Sequence, residues 1–460
     1  MRATVPNGEP VMRKQYWIGL LLVVLGCAGR EPLLYYGAPT QLPNTTREMK
    51  SPGYWIARHP GPDRVVLEAA MLEKFNERIW RDAGWPRDIF VANAQDLRER
   101  LESDLEDLRR KGFFTRDGRR ADYRFFDPLR AAMNLEVIDE SRPPRYGVVV
   151  RFADQRILPT REPLYKIQGD LDFDELQNSG LDAGTPVAIL HASRDGRWLY
   201  LECALTRGWV ESAFVALGDA KSVREFASPV ALATVVRAKA DVFLDKSQTH
   251  FYDVLRMGAG LPLAGKPDDE GVPVSVPLRK PDGTLAAEMG FMAARDVSSN
   301  PLPYTPRNVI GQAFEMLSAP YGWGGMYGEQ DCSRFIQQVF ATVGVDLPRN
   351  SGEQAKVGRL IAEFPPGTGA EEKAKVLAQQ GIGGITVLKF RNESHIAIYL
   401  GMVAGRPYAI HATWGYREPV GGTERVRLVN RVAVTDLWLG KGTSKGSLLD
   451  RLEKIRRISP

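Results

Sequence analysis

Asp331-Cys332-Ser333-Arg334-Phe335, taken with His395 and His411, is the part of this 460-residue chain whose residue types and spacing can do chemistry. Cys332 and Ser333 open the apolar pattern Phe335, Ile336, Val339, Phe340, Val343, which has the period of a helix. A cysteine at a helix N-terminus lies near the positive end of the macrodipole and near N–H groups that have no intrahelical partner. That setting lowers its pKa and favours the thiolate, and the same N–H groups can serve an oxyanion. The alternative is a buried structural cysteine, a class rarely bracketed by Asp and Ser.

The histidines supply the rest of a nucleophilic site. Ser394 to Leu400 and Pro407 to His411 read as two strands joined across Gly401 to Arg406. The mean of 395 and 411 is 403, the centre of that connection. A simple antiparallel hairpin then sets the two histidines opposite each other, with Cβ atoms about 5 Å apart. One acts as base and the other orients it, so cysteine, base and orienter form a dyad with a third member that fixes the tautomer. Zinc binding by Cys332, His395 and His411 is the competing reading, but their long separation matches no zinc spacing. No metal or cofactor is expected, and His59, His191 and His250 fall in other modules and receive no role.

The elements that position these residues belong to a multidomain α+β chain, since 460 residues exceed one core. Residues 28 to about 50 hold Pro32, Pro39 and Pro43 among small polar residues, the composition of a tether. Arg64 to Trp80 and Asp96 to Arg110 carry helical patterns, the second through Leu97, Leu101, Leu105 and Leu108, so 28–150 is expected to be a tether plus a mainly helical domain. Short alternating runs broken by Asp195-Gly196 and Arg207-Gly208 predict a small β-barrel over 151–219, and a weaker pattern of the same kind predicts a second over 226–298. After Pro301, Pro303 and Pro306 the remainder, 301–460, reads helix, helix, strands.

Charge and cysteine usage bound the partners. A net charge of +5 spread over a chain with 25% charged residues leaves no basic block, and no nucleic-acid partner is expected. Arg13 and Lys14 precede an apolar run from Tyr16 to Leu25 that has the length of a signal-peptide core, and Met12 is a second candidate start. The ending Val24-Leu25-Gly26-Cys27-Ala28 resembles a bacterial lipoprotein signal, which implies a signal over 1–27 and a lipid on Cys27. With Cys27 so used, a disulfide between Cys203 and Cys332 would consume the nucleophile, and Cys203 reads as a small buried side chain. The expectation is a monomer at the periplasmic face, lipid-anchored, with the outer membrane preferred because Ala28 is not the aspartate that often retains lipoproteins at the inner one.

At this point the sequence resembles the NlpC-type, papain-like cell-wall peptidases. The likeness is carried by Tyr321 to Phe335, Leu347-Pro348-Arg349-Asn350-Ser351-Gly352-Glu353-Gln354, Ser394 to Gly401 and Ala409 to Ala412. Asp154 to Thr160, Asp195-Gly196-Arg197-Trp198 and Gly208-Trp209-Val210 resemble the bacterial SH3-like barrels of one exported branch, which also has a helical N-terminal domain. The resemblance implies a papain-like catalytic domain that hydrolyses peptidoglycan stem peptides between γ-D-glutamate and diaminopimelate or lysine, often with a free L-alanine amine required. It implies Cys332 as nucleophile, His395 as general base and acid, and His411 as orienting residue. By the same analogy Asp331 meets the amine, Ser333 and Ser351 bind the D-glutamate carboxylate, and Tyr321 and Trp323 wall the pocket. The alternatives are a wall-binding scaffold without catalysis and a papain-like acyltransferase or transglutaminase.

Overall fold

The structure is a computed structural model, and it describes residues 35–84, 88–268, 271–391 and 395–460. Cys27 and the signal-like segment, as well as Ser394, lie outside the described residues.

In helix Leu97–Lys111 the four leucines 97, 101, 105 and 108 are all buried, as a stripe at helical spacing requires. They pack with Phe126 and Met133 of helix Tyr123–Met133 against Leu158, Leu164, Leu176, Tyr200 and Trp209, so the helices share one core with the sheet that follows. That sheet has seven antiparallel strands between Arg145 and Gly218. A four-stranded and a three-stranded sheet follow between Leu232 and Ser298, and they close around Val235, Val242, Tyr252, Leu261, Val274 and Met292.

The last third is built on a seven-stranded sheet whose central order is Thr423–Asp436, Arg406–Val420, His395–Val403, Thr386–Phe390 and Leu452–Arg457. Alternation along the His395 strand serves two cores. Ile396 and Ile398 join the helices Pro306–Glu315 and Cys332–Thr342, while Ala397 and Tyr399 face Leu377 of helix Ala370–Gln380 together with Leu448 and Leu449. A sheet covered by helices on both faces fixes the backbone that carries the histidines, His395 at the start of its strand and His411 inside Arg406–Val420.

Residues 35–50 differ from the tether expected of their composition. Tyr35–Gly37 adds to the catalytic sheet as a parallel strand against Val426 to Leu428, and Leu42 and Met49 are each 4% exposed. Prolines at 39 and 43 cost nothing here, because a three-residue edge strand asks for few N–H donors and the two apolar side chains supply the docking.

Candidate active site

Asp331 starts the Cys332 helix. Its Oδ1 accepts the Arg334 N–H at 2.8 Å, the bond expected of an N-cap, and Cys332 becomes the first helical residue. The sulfur is also met by the Ile396 backbone N–H, one residue beyond His395. Cys332 is 6% exposed, and burial pushes its thiol up to about 12 from 9.0; the Asp331 carboxylate adds to the rise, while the Ile396 N–H, Arg349 and Lys389 oppose it. Burial and the Asp331 carboxylate thus act against the expected effect of the helix terminus and favour the neutral thiol.

The hairpin register differs from the one expected. Ile398 pairs with Ile410 and Val403 with Arg406, so the turn is Ala404-Gly405, both at positive φ, and a bulge follows at Tyr399/Gly401. One further step sets His411 beside Ala397, two residues from His395. An offset of two leaves both histidines on one face, and the rings still meet: His395 Nε2 lies 2.6 Å from His411 Nδ1, with ring centroids 4.8 Å apart. His395 stacks on buried Phe390 at 5.5 Å, and His411, 1% exposed, reaches Thr435 Oγ1 through Nε2 at 2.8 Å. His395 is pulled down to about 3 by burial first, then by the positive field of Arg451, Lys389 and Lys445. The second ring nitrogen of His395, Nδ1, is the one not used by His411.

The flanking residues form a buried ion-pair network. Arg349, 3% exposed, forks onto Asp331 through Nη1–Oδ1 at 3.1 Å and Nη2–Oδ2 at 2.7 Å. Its Nη1 also donates to Ser333 Oγ at 3.0 Å, and its Nε reaches Ser179 Oγ of the first barrel at 3.1 Å. Ser333 Oγ in turn donates to Asp331 Oδ1 at 3.0 Å. Burial opposes ionisation of Asp331, yet Arg349 and the N–H and O–H donors outweigh it and hold the carboxyl below its usual range. Ser351 is buried with Lys389 Nζ 3.5 Å from its Oγ, and half-buried Tyr321 is held above its usual range by burial first, with the neighbouring Asp331 carboxylate adding to the rise.

Trp323 is placed at the contact with the first barrel. Its Nε1 donates to the Asp174 carbonyl at 3.0 Å and its ring meets Phe173 edge-on. The acidic stretch 170–174 is fastened: Tyr35 Oη donates to Asp170 at 3.0 Å, Trp414 Nε1 donates to Asp172 at 2.7 Å, and Asp174 pairs with buried Arg156 at 2.5 Å. Trp414 follows His411 by three residues, so the latch is fastened to the strand that carries His411. Sequence reasoning missed Thr435, Lys389 and Trp414, whose positions carry no motif. Arg349 lies in the stretch 347–354 that carries the family likeness, but nothing in the sequence marks it as the partner of Asp331. Cys203 is free and buried, and among the described residues no group of three or more His, Cys, Asp or Glu is arranged to hold a metal ion.

A thiol at a helix start, set against an antiparallel sheet that carries the histidines, defines a papain-like domain. Residues 318–419 match the NlpC/P60 family, and 163–211 match an SH3 domain of the SH3b1 type. The chain thus carries an NlpC/P60 domain behind an SH3 domain, and Tyr321, Trp323, Asp331, Cys332, Ser333, Ser351, His395 and His411 all fall within the first of these matches. Over 107 residues the chain is 35% identical to peptidoglycan endopeptidase RipB of Mycobacterium tuberculosis, covering 20% of this chain and 39% of that one. Over 58 residues it is 39% identical to the gamma-D-glutamyl-L-lysine dipeptidyl-peptidase of Bacillus subtilis, covering 12% and 20%. The chain therefore spans well under half the length of these relatives. An NlpC/P60 endopeptidase from Photobacterium damselae subsp. piscicida shares the fold at a TM-score of 0.74, with 21% identity over 92% of this chain and 99% of that one.

Proposed function

We propose that this protein is a cysteine endopeptidase that hydrolyses peptidoglycan stem peptides at the γ-D-glutamyl–diamino acid bond, with diaminopimelate or lysine as the diamino acid. The observation that carries the reading is the 2.6 Å contact between His395 and His411 beside a helix-borne Cys332. The thiol proton passes to His395 Nδ1 as the sulfur attacks the γ-carbonyl carbon, and N–H groups at the helix start stabilise the oxyanion. Collapse breaks the C–N bond, His395 gives its proton to the leaving amine, and a water activated by His395 then hydrolyses the thioester. His411 orients His395 throughout.

A free L-alanine amine belongs to this reading, with the fastened stretch 170–174 of the first barrel and Trp323 as the elements taken to bound its site. Asp331 Oδ2, which accepts from Arg349, keeps a lone-pair direction for that amine; Ser333 and Ser351 serve the D-glutamate carboxylate, and Tyr321 walls the pocket. The names of the M. tuberculosis and B. subtilis relatives support the substrate class. In the same reading the protein is a monomer held at the periplasmic face by a lipid on Cys27, preferably at the outer membrane. The test is incubation of the whole protein with L-Ala-γ-D-Glu-diaminopimelate and with its N-blocked form, products being read by mass. Release of diaminopimelate from the free-amine peptide alone is expected. Absence of cleavage of either peptide, or equal cleavage by Cys332→Ala, would reject the proposal; amine adducts in place of acid products would point to an acyltransferase.

A further inference from the structure

We propose that Thr435 is a positioning residue, whose hydroxyl oxygen fixes the tautomer of His411 and, through it, the tautomer of His395. The inference rests on the reading of Cys332 as nucleophile and His395 as base. Thr435 lies on strand Thr423–Asp436, paired with Ala409 of the His411 strand, and is fully buried. Its Oγ1 is 2.8 Å from His411 Nε2, and His411 Nδ1 is 2.6 Å from His395 Nε2.

A hydroxyl can accept or donate, and the choice sets the direction of the whole chain. When Thr435 accepts, His411 carries its proton on Nε2, its Nδ1 lone pair receives the His395 Nε2–H, and His395 Nδ1 is left with the lone pair that takes the thiol proton. When Thr435 donates, each proton moves to the other nitrogen, His395 carries N–H on Nδ1, and it has no basic atom for the sulfur. Once His395 is doubly protonated, its Nε2–H also needs His411 Nδ1 as an acceptor, so both catalytic states require the accepting hydroxyl. A carboxylate in the place of Thr435 would favour a cationic His411 against His395; a neutral oxygen selects the tautomer without adding charge. Thr435 lies beyond the family match, which ends at residue 419.

The experiment is made on the full chain. ¹⁵N shifts of the imidazoles in the wild-type protein are expected to show His411 protonated on Nε2 and bare on Nδ1. Thr435→Val, which keeps the shape and loses the acceptor, is expected to lower kcat about tenfold or more, the loss of one buried hydrogen bond in the transition state, with KM little changed and a mixed His411 tautomer. Thr435→Ser is expected to restore both kcat and the tautomer. His411 protonated on Nδ1 in the wild type, or a folded Thr435→Val protein with wild-type kcat, would overturn the proposal. Should the valine variant not fold, the wild-type shifts and the serine variant still decide. Hydrolysis that survives Cys332→Ala would instead bring down the reading beneath it, and this proposal with it.

Discussion

Cys332 and His395 titrate in opposite directions for one shared reason, burial, which raises the acid and lowers the base. With the thiol pushed up to about 12 and the imidazole down to about 3, the thiolate gains population only as pH rises toward the first value, and the imidazolium only as pH falls toward the second. Between them the resting pair is neutral, and the charged pair forms when substrate and proton transfer call for it. Alkylation of Cys332 by iodoacetamide should therefore be slow at pH 6 and climb steadily through pH 9; a fast rate independent of pH from about pH 5 would show a resting thiolate–imidazolium pair instead. Phe390, fully buried under His395, is the stack that holds the ring. Phe390→Ala should cost about 3–5 kcal/mol in urea unfolding, the usual loss for a buried phenyl ring.

At the level of elements, the hairpin shows what could be read and what could not. Both strands were legible in the sequence, because β-branched and aromatic residues alternate around the histidines. The register was not, since it depends on the turn, and Ala404-Gly405 lacks the Asn-Gly signature that marks a type I′ connection. The pairing of the histidines survived the error because an offset of two preserves the face. Ala404 holds φ of 48°, strained for a residue with a Cβ, and Ala404→Asn should raise stability by roughly 0.5–1 kcal/mol, visible as a higher Tm. The docking of residues 35–50 was hidden for another reason: Leu42 is a single apolar residue in polar sequence, and its partners, like those of the Tyr35 strand, lie hundreds of positions away. Arg349 and Thr435 were obscured likewise, because only the folded chain brings them to Asp331 and His411.

Across the whole molecule, one carboxylate joins the catalytic domain to both barrels. Asp182 accepts from Arg334 of the Cys332 helix at 3.1 Å and from Arg256 of the second barrel at 3.0 Å, with all three side chains largely buried. Asp182→Ala leaves two guanidiniums uncompensated and should destabilise by about 3–5 kcal/mol in denaturant unfolding. The latch of Phe173, Trp414 and Asp172 belongs to the same contact, so Phe173→Ala should open the cleft and raise cleavage of the N-blocked peptide relative to the free one by about tenfold, equivalent to 1.4 kcal/mol. The central claim is that the sulfur of Cys332 takes the γ-D-glutamyl group, and intact-protein mass spectrometry after mixing with L-Ala-γ-D-Glu-diaminopimelate and quenching in acid tests it most directly. The account predicts an L-Ala-γ-D-Glu adduct that maps to Cys332 and is absent from Cys332→Ala. Turnover with no acyl group on Cys332 at any quench time, or an adduct on another residue, would contradict it.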